Sequence, residues 1–310
     1  MSTVLVTGGT GFIGQALLRE LLSHHDEILC LTHRNPSAYS ICSQLNDITF
    51  IQCDLNENIH LSRFLPDVDI DAIYHLGWSG VSGKKAMDPY TQMNNMRFSL
   101  ELLKYGISHN VSVFIGAGSF HEAEAQIEMA SNKVIANLGY MYKAAKLATH
   151  WMLKSLAGDS NVRFFWPLIS TYGEGENSKR LINSIIRSIY SGKTPKLTSG
   201  EQLYDYVHVS DVARALYLIS KFGVDGSNYV ISSGNPQPLR NFLNIVGDIA
   251  NELNNSHVSL GFGLSDSSAI NLPRSFFETN LTRDTGFCPK VSFSEGIRRT
   301  ALWIKQQEKY

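Results

Sequence analysis

The sequence predicts an α/β protein built on a doubly wound parallel sheet, with a second, smaller part towards the C-terminus. Three features predict it. Short runs rich in Val, Ile, Leu and Phe alternate with helix-period segments through the first half of the chain. The first of these runs leads at once into a glycine-rich turn. Beyond about residue 168 the alternation gives way to Gly- and Ser-containing turns between separated helices.

Residues 3–7, 27–32, 48–53, 70–76, 111–116, 162–166 and 228–232 read as buried strands, each short, apolar and bounded by turn residues. Residues 12–23 put Ile13, Leu17, Leu18, Leu21 and Leu22 on one helical stripe, and 90–105 and 138–156 show the same period. Strands alternating with helices require right-handed crossovers, which align the strands in parallel and cover both faces of the sheet. Further helices are expected at 178–191, 210–221, 239–254 and 294–307.

Composition narrows the classes of function. With 310 residues, 43% hydrophobic and 18% charged, the chain can bury a substantial core. A net charge of −1 supplies no general field for nucleic acid or an anionic membrane, so an anion has to be held by a local site. No apolar run approaches the roughly 18 residues of a membrane span, and the N-terminus lacks a signal-peptide layout; a cytoplasmic protein is expected. Cys30, Cys42, Cys53 and Cys288 have no C-x-x-C spacing and read as reduced thiols. The histidines form no H-x-x-x-H or H-E-x-x-H pattern, so no metal is expected.

The opening stretch VLVTGGTGFIG is a strand followed by Gly8-x-x-Gly11-x-x-Gly14 and the start of a helix. Bare backbone lets a pyrophosphate approach, and the helix N-terminus offers unpaired N–H groups and a favourable dipole. A dinucleotide is therefore expected there, with Phe12 and Ile13 beginning the helix. No Lys-Ser/Thr follows Gly14, which argues against a P-loop. The second strand ends in Leu31-Thr32-His33-Arg34, with no acid for a ribose 2′-hydroxyl. Arg34 can pair with a 2′-phosphate instead, favouring NADP while leaving NAD open. Asp54 and Leu55, after the third strand, are positioned to meet the adenine.

Tyr142 and Lys146 lie four apart on one helix face. A phenol titrates near 10, roughly, but a cation one turn away and the positive nicotinamide favour its ionised form. The pair can then pass a proton to or from an alcohol or carbonyl during hydride transfer. The same spacing recurs at Tyr217 and Lys221, which read as a packed tyrosine beside a surface lysine. Ser119, after the strand ending Gly116-Ala117-Gly118, can hydrogen-bond the same substrate oxygen.

VTGGTGFIG, Asp54-Leu55, His75-Leu76-Gly77, Asn95, the GAGS strand end, YKAAK, WPLISTYGEG at 166–175 and DYVHVSDVARALYLI at 205–219 together resemble the extended short-chain dehydrogenase/reductase family of nucleotide-sugar epimerases, dehydratases and reductases. The resemblance implies a Rossmann-type sheet and a smaller C-terminal substrate-binding domain. It divides the chain into 1–167 plus about 207–233 for the dinucleotide and about 168–206 plus 234–310 for substrate, with a nucleoside-diphosphate sugar in a cleft. It implies that Tyr142 is the acid–base, Lys146 orients the nicotinamide ribose, Ser119 is the hydroxyl partner, and Gly77 and Asn95 belong to the cofactor site. It further implies a homodimer through the helices near 90–105 and 138–156. Ser170 stands where an asparagine often contacts substrate, and Tyr204 where an arginine precedes the Asp-Tyr pair. Arg274 is the candidate diphosphate contact.

Dehydratases of the family carry Thr-Asp-Glu where this chain has Ser119-Phe120-His121-Glu122, so dehydration is disfavoured, although His121 or Glu122 remains a possible second acid–base. Keto-sugar reduction and C4 epimerisation need only the serine, tyrosine, lysine and nicotinamide. Arg34 leans towards NADPH and reduction. A non-catalytic NADP-binding sensor is the remaining reading, against which the intact Tyr142 and Lys146 argue.

Overall fold

The computed structural model describes residues 2–24, 27–45, 47–53, 61–131, 137–265 and 270–308. The chain forms two compact units. The first comprises Met1–Ile169, Ala213–Tyr229 and Asn280–Phe287, and the second Ser170–Val212, Val230–Thr279 and Cys288–Tyr310.

In the first unit, β1 (Thr3–Thr7), α1 (Phe12–Ser23), β2 (Glu27–Thr32), the short α2 (Ser40–Gln44), β3 (Ile48–Gln52), β4 (Ala72–His75), α3 (Pro89–Ser108), β5 (Val113–Gly116), α4 (Phe120–Met129), α5 (Met141–Gly158) and β6 (Arg163–Phe165) follow one another. The six strands form one sheet in the order β3-β2-β1-β4-β5-β6, every pairing parallel. The order reverses between β1 and β4, and open α/β sheets bind ligands at the strand carboxyl ends beside such a reversal. β4 and β5 are buried at every position, which explains why they read as continuous apolar runs without alternation. α1 buries Gly14, Leu17, Leu18 and Leu21, an i, i+3, i+4, i+7 face. Asp88 caps α3, accepting from the Thr91 N–H at 2.8 Å, with Pro89 in the first turn. Leu5, Ile73, Phe114, Leu102 and Leu153 form the centre of the core.

The second unit holds α6 (Leu181–Tyr190), the start of α7 (Val209–Phe222), α8 (Leu239–Asn254), the short α9 (Arg274–Phe277) and α11 (Phe293–Glu308); α10 (Leu281–Thr285) belongs to the first unit. Ile186, Val246, Ile297 and Ile304 pack α6, α8 and α11 into a separate core. The helix expected from 178 begins only at Leu181. Ser178 donates to Glu176, and the Asn183 amide donates to the Glu176 carbonyl, so side chains hold residues 176–180 outside the helix. The strand expected over 228–232 is only Val230–Ile231 and stands outside the six-stranded sheet.

Candidate active site

The glycine turn forms at the carboxyl end of β1. Gly8 has φ +73°, in the left-handed region, and a Cβ there would sit 2.6 Å from the Gly77 nitrogen. A Cβ on Gly14 would collide with the Gly8 carbonyl and come within 2.6 Å of the Gly9 Cα. The Gly11 N–H donates to the Gly8 oxygen at 2.9 Å, closing the turn. Gly11 is the N-cap of α1, and no side chain caps that helix, which leaves the first-turn N–H groups of half-buried Phe12 and Ile13 without an intrahelical acceptor. A tight, side-chain-free cradle with unspent donors fits a pyrophosphate.

A cavity of about 240 Å³ opens beside this cradle, lined by Gly8, Gly11, Thr32, His33, Gly77 and Asn95 among others. Arg34 is exposed next to His33 and outside that lining, and among the described residues no hydrogen bond or ion pair engages its guanidinium. Asp54 and Leu55 lie outside the described residues. The Asn95 side chain binds both the N–H and the carbonyl of Ser79, at 2.9 and 2.8 Å, and so fastens the loop after β4 to α3.

Beneath the cavity runs a hydrogen-bond chain that the sequence reading did not assign. Gly77 N–H donates to the Thr7 hydroxyl at 3.1 Å, Thr7 meets His75 Nδ1 at 2.8 Å, His75 Nε2 meets Ser99 at 2.8 Å, and Ser99 donates to the Asn95 carbonyl at 2.8 Å. One tautomer satisfies every member, with Thr7 donating to Nδ1 and Nε2–H donating to Ser99. Burial, with the nearby Lys146 cation, pushes His75 down to about 3, so it stays neutral. The sequence signal was a polar residue ending an otherwise apolar strand directly before Leu76-Gly77.

Lys146 is 4% exposed. Its ammonium donates to the Ala117 carbonyl at 2.8 Å and lies 3.8 Å from the Trp78 ring centre and 4.9 Å from that of Trp166. Burial lowers it from the ordinary lysine range to about 7, opposed by the charge of Glu122. Tyr142, one turn earlier on α5, stands edge-on to Trp78 at 6.3 Å and to His121 at 6.0 Å. Trp78 is held by its indole N–H, which donates to Gln92 at 2.9 Å. The structure therefore brings Tyr142, Lys146 and two unassigned tryptophans together at the ends of β4, β5 and β6.

Ser119 is the N-cap of α4 in a capping box: its hydroxyl accepts from the His121 N–H, and its own N–H donates to Glu122. Glu122 is 1% exposed and is part of the protein's internal framework, while His121 is paired with Glu124 at 2.6 Å. The glycines that precede Ser119 have a steric cause. A Cβ on Gly116 would clash with the Trp166 ring at Cε3 and Cζ3, and one on Gly118 would sit 2.8 Å from Leu168 Cδ2 and the Pro167 oxygen and 2.9 Å from Trp166 Cδ1.

The remaining candidates lie elsewhere. Ser170, in the second unit, donates to the Tyr204 hydroxyl at 3.1 Å. Arg274 is exposed and donates to the Pro236 carbonyl at 3.2 Å. Tyr217 stacks on His24 with ring centres 3.8 Å apart, and the exposed Lys221 donates to Ser2, a packed tyrosine beside a surface lysine. All four cysteines are free. Among the described residues no group of His, Cys, Asp and Glu could hold a metal, and no helix is long and apolar enough to cross a membrane.

The chain is similar to known proteins over most of its length. A model described as the NAD dependent epimerase/dehydratase family matches residues 4–232. The chain is 23% identical to a dTDP-glucose 4,6-dehydratase of Shigella flexneri, covering 97% of this chain and 92% of that protein. Its fold is similar to that of UDP-N-acetylglucosamine 4-epimerase from Methanobrevibacter ruminantium in complex with UDP-N-acetylmuramic acid, at 21% identity, TM-score 0.79 and 99% coverage of both chains. It is likewise similar to the Bordetella bronchiseptica enzyme WbmF in complex with NAD+, at 19% identity, TM-score 0.77, and coverage of 99% and 94%.

Proposed function

The chain belongs to the NAD-dependent epimerase/dehydratase family, enzymes of the extended short-chain dehydrogenase/reductase type, and from that premise we propose that it acts on a nucleoside-diphosphate sugar, reducing a keto group by hydride transfer. The observation that carries this reading is the buried Lys146, held at Ala117 one turn from Tyr142, in the same unit as the glycine cradle. When bound, a nicotinamide cofactor supplies or accepts the hydride.

The protein's own groups do the rest. The first-turn N–H groups of α1 bind the pyrophosphate. Tyr142 passes a proton to the carbonyl oxygen, and Lys146 favours its ionised form by charge and orients the ribose. Ser119 keeps its hydroxyl proton after accepting the cap bond, and donates a hydrogen bond to the same oxygen. The first unit thus serves the dinucleotide, and the second, with Ser170 and Arg274, recognises the nucleotide sugar. The exposed guanidinium of Arg34 and the absence of an acid at the end of β2 support NADPH over NADH.

C4 epimerisation with a retained NAD is the second reading. It is favoured by the NAD-bound WbmF neighbour and by the epimerase neighbour. Both readings need Tyr142, so Tyr142→Phe should abolish turnover while cofactor binding persists. Unchanged turnover would remove the catalytic assignment. Nucleotide released from the denatured protein and identified by mass spectrometry separates the two. Near-stoichiometric NAD indicates epimerisation, whereas a site that takes up NADPH reversibly indicates reduction.

A further inference from the structure

The chemistry above leaves the buried acid Glu122, which faces the Lys146 pocket, unused. Glu122 is 1% exposed and makes three hydrogen bonds. Oε1 accepts from the Ser119 N–H at 2.8 Å and from the Trp166 indole N–H at 3.1 Å, and Oε2 meets His150 Nδ1 at 3.0 Å. The same indole ring lies under the Lys146 ammonium, 4.9 Å from it. One aromatic system therefore touches both charges, its N–H edge the carboxylate and its π face the cation. An indole face is electron-rich and its edge electron-poor, and donating the N–H to an anion polarises the ring towards the face that meets the cation.

We propose that Glu122 acts through Trp166 as the positioning residue of Lys146, keeping its ammonium charged and seated against Ala117 in a buried pocket. The proposal rests on the role assigned to Lys146 in the proposed function. Gly116 supports it independently, because a side chain there would displace the Trp166 ring from its place beside the two charges. The direction of the Lys146 shift agrees: burial lowers it and Glu122 opposes the lowering.

Among the described residues Glu122 is the carboxylate that opposes the lowering of Lys146. His75 of β4 is buried and neutral. On α4, His121 is paired with Glu124, and Glu128 with Lys143 of α5. On α5 itself, His150 shares Glu122 and, when protonated, weakens its effect; an ionised Tyr142, one turn away, acts in the same direction as Glu122. Arg163 of β6 donates to the Ser220 and Gly223 carbonyls. Arg97 of α3 is exposed, Lys104 pairs with Glu101 on the same helix, and Lys84 and Lys85, in the turn before it, are exposed.

The test is an NMR titration of the full chain carrying ε-13C-lysine, with the Lys146 resonance assigned by its loss in Lys146→Arg. Glu122→Gln keeps an acceptor for Ser119 and Trp166 and removes the charge. Trp166→Phe removes the N–H and keeps a ring below the cation. The Lys146 midpoint should fall by about one unit or more in Glu122→Gln, and fall also in Trp166→Phe, with the alkaline limb of turnover moving the same way. A midpoint unmoved in folded Glu122→Gln would make Glu122 a helix cap alone and overturn the proposal. A shift in Glu122→Gln without one in Trp166→Phe would take the indole out of the path and overturn it equally. If Glu122→Gln does not fold, Trp166→Phe decides. The titration needs no turnover, so an inactive wild-type protein would count against the proposed function and leave this result readable.

Discussion

His75 shows how a single residue carries both stability and site geometry. Its neutral ring links Thr7 to Ser99 and so fixes Gly77 against the turn at Gly8. Its folded-state value near 3 lies below the ordinary 6.5. Between those values the unfolded chain holds a proton that the native one does not, so stability falls as pH drops from 6.5 towards 3, by up to about 1.4 kcal/mol per pH unit from this group. Urea midpoints across that window should fall in the wild type, and His75→Asn should flatten the slope whatever it does to the absolute value. A slope unchanged by that substitution would mean other groups set the acid limit. Arg34 makes a second residue-scale prediction. With the guanidinium exposed beside His33, Arg34→Ala should weaken NADPH binding about tenfold or more and leave NADH nearly unchanged, by titration calorimetry. Equal losses for both would remove its 2′-phosphate role.

At the scale of elements, the start of α4 combines capping and candidate chemistry. Ser119 and Glu122 satisfy each other's backbone groups, so Ser119→Ala should cost about 1 kcal/mol in urea unfolding even if turnover survives. Ser119→Thr should keep the cap and the hydroxyl together. The helix that begins at Phe120 was not among those expected from the sequence, and Ser119 read only as a reaction-centre residue, because a cap serine and a substrate-binding serine look alike in one dimension. The Gly-Ala-Gly before it was visible in the sequence without its reason. Its cause is Trp166, nearly fifty residues further along the chain, whose ring needs the space. The long helices α1, α3 and α5 were readable within a few residues because their apolar stripes are continuous. Short elements such as Val230–Ile231 carry too few residues to show a period.

For the whole molecule, α3 and α5 pack on each other and expose Tyr90, Met93, Trp151 and Met152, with Tyr90 and Trp151 at 75% and 57%. Exposed apolar side chains of this size on two adjacent helices suit burial against a second copy. A Met93→Glu, Trp151→Glu double variant should elute as a monomer in light-scattering chromatography if the wild type is a dimer through this face. An unchanged dimer would place the interface elsewhere. The sequence by itself determined the parallel α/β architecture, the glycine cradle and the Tyr142 and Lys146 pairing, since each is encoded by neighbours along the chain: a strand, a turn, or one helical turn. Only the tertiary structure decided what surrounds them. The His75 chain joins β1, β4 and α3, and the Glu122, Trp166 and Lys146 cluster joins α4, the end of β6 and α5. Their energies arise from burial and from contacts between residues far apart in sequence, and no local pattern records where a distant indole or carbonyl will come to rest.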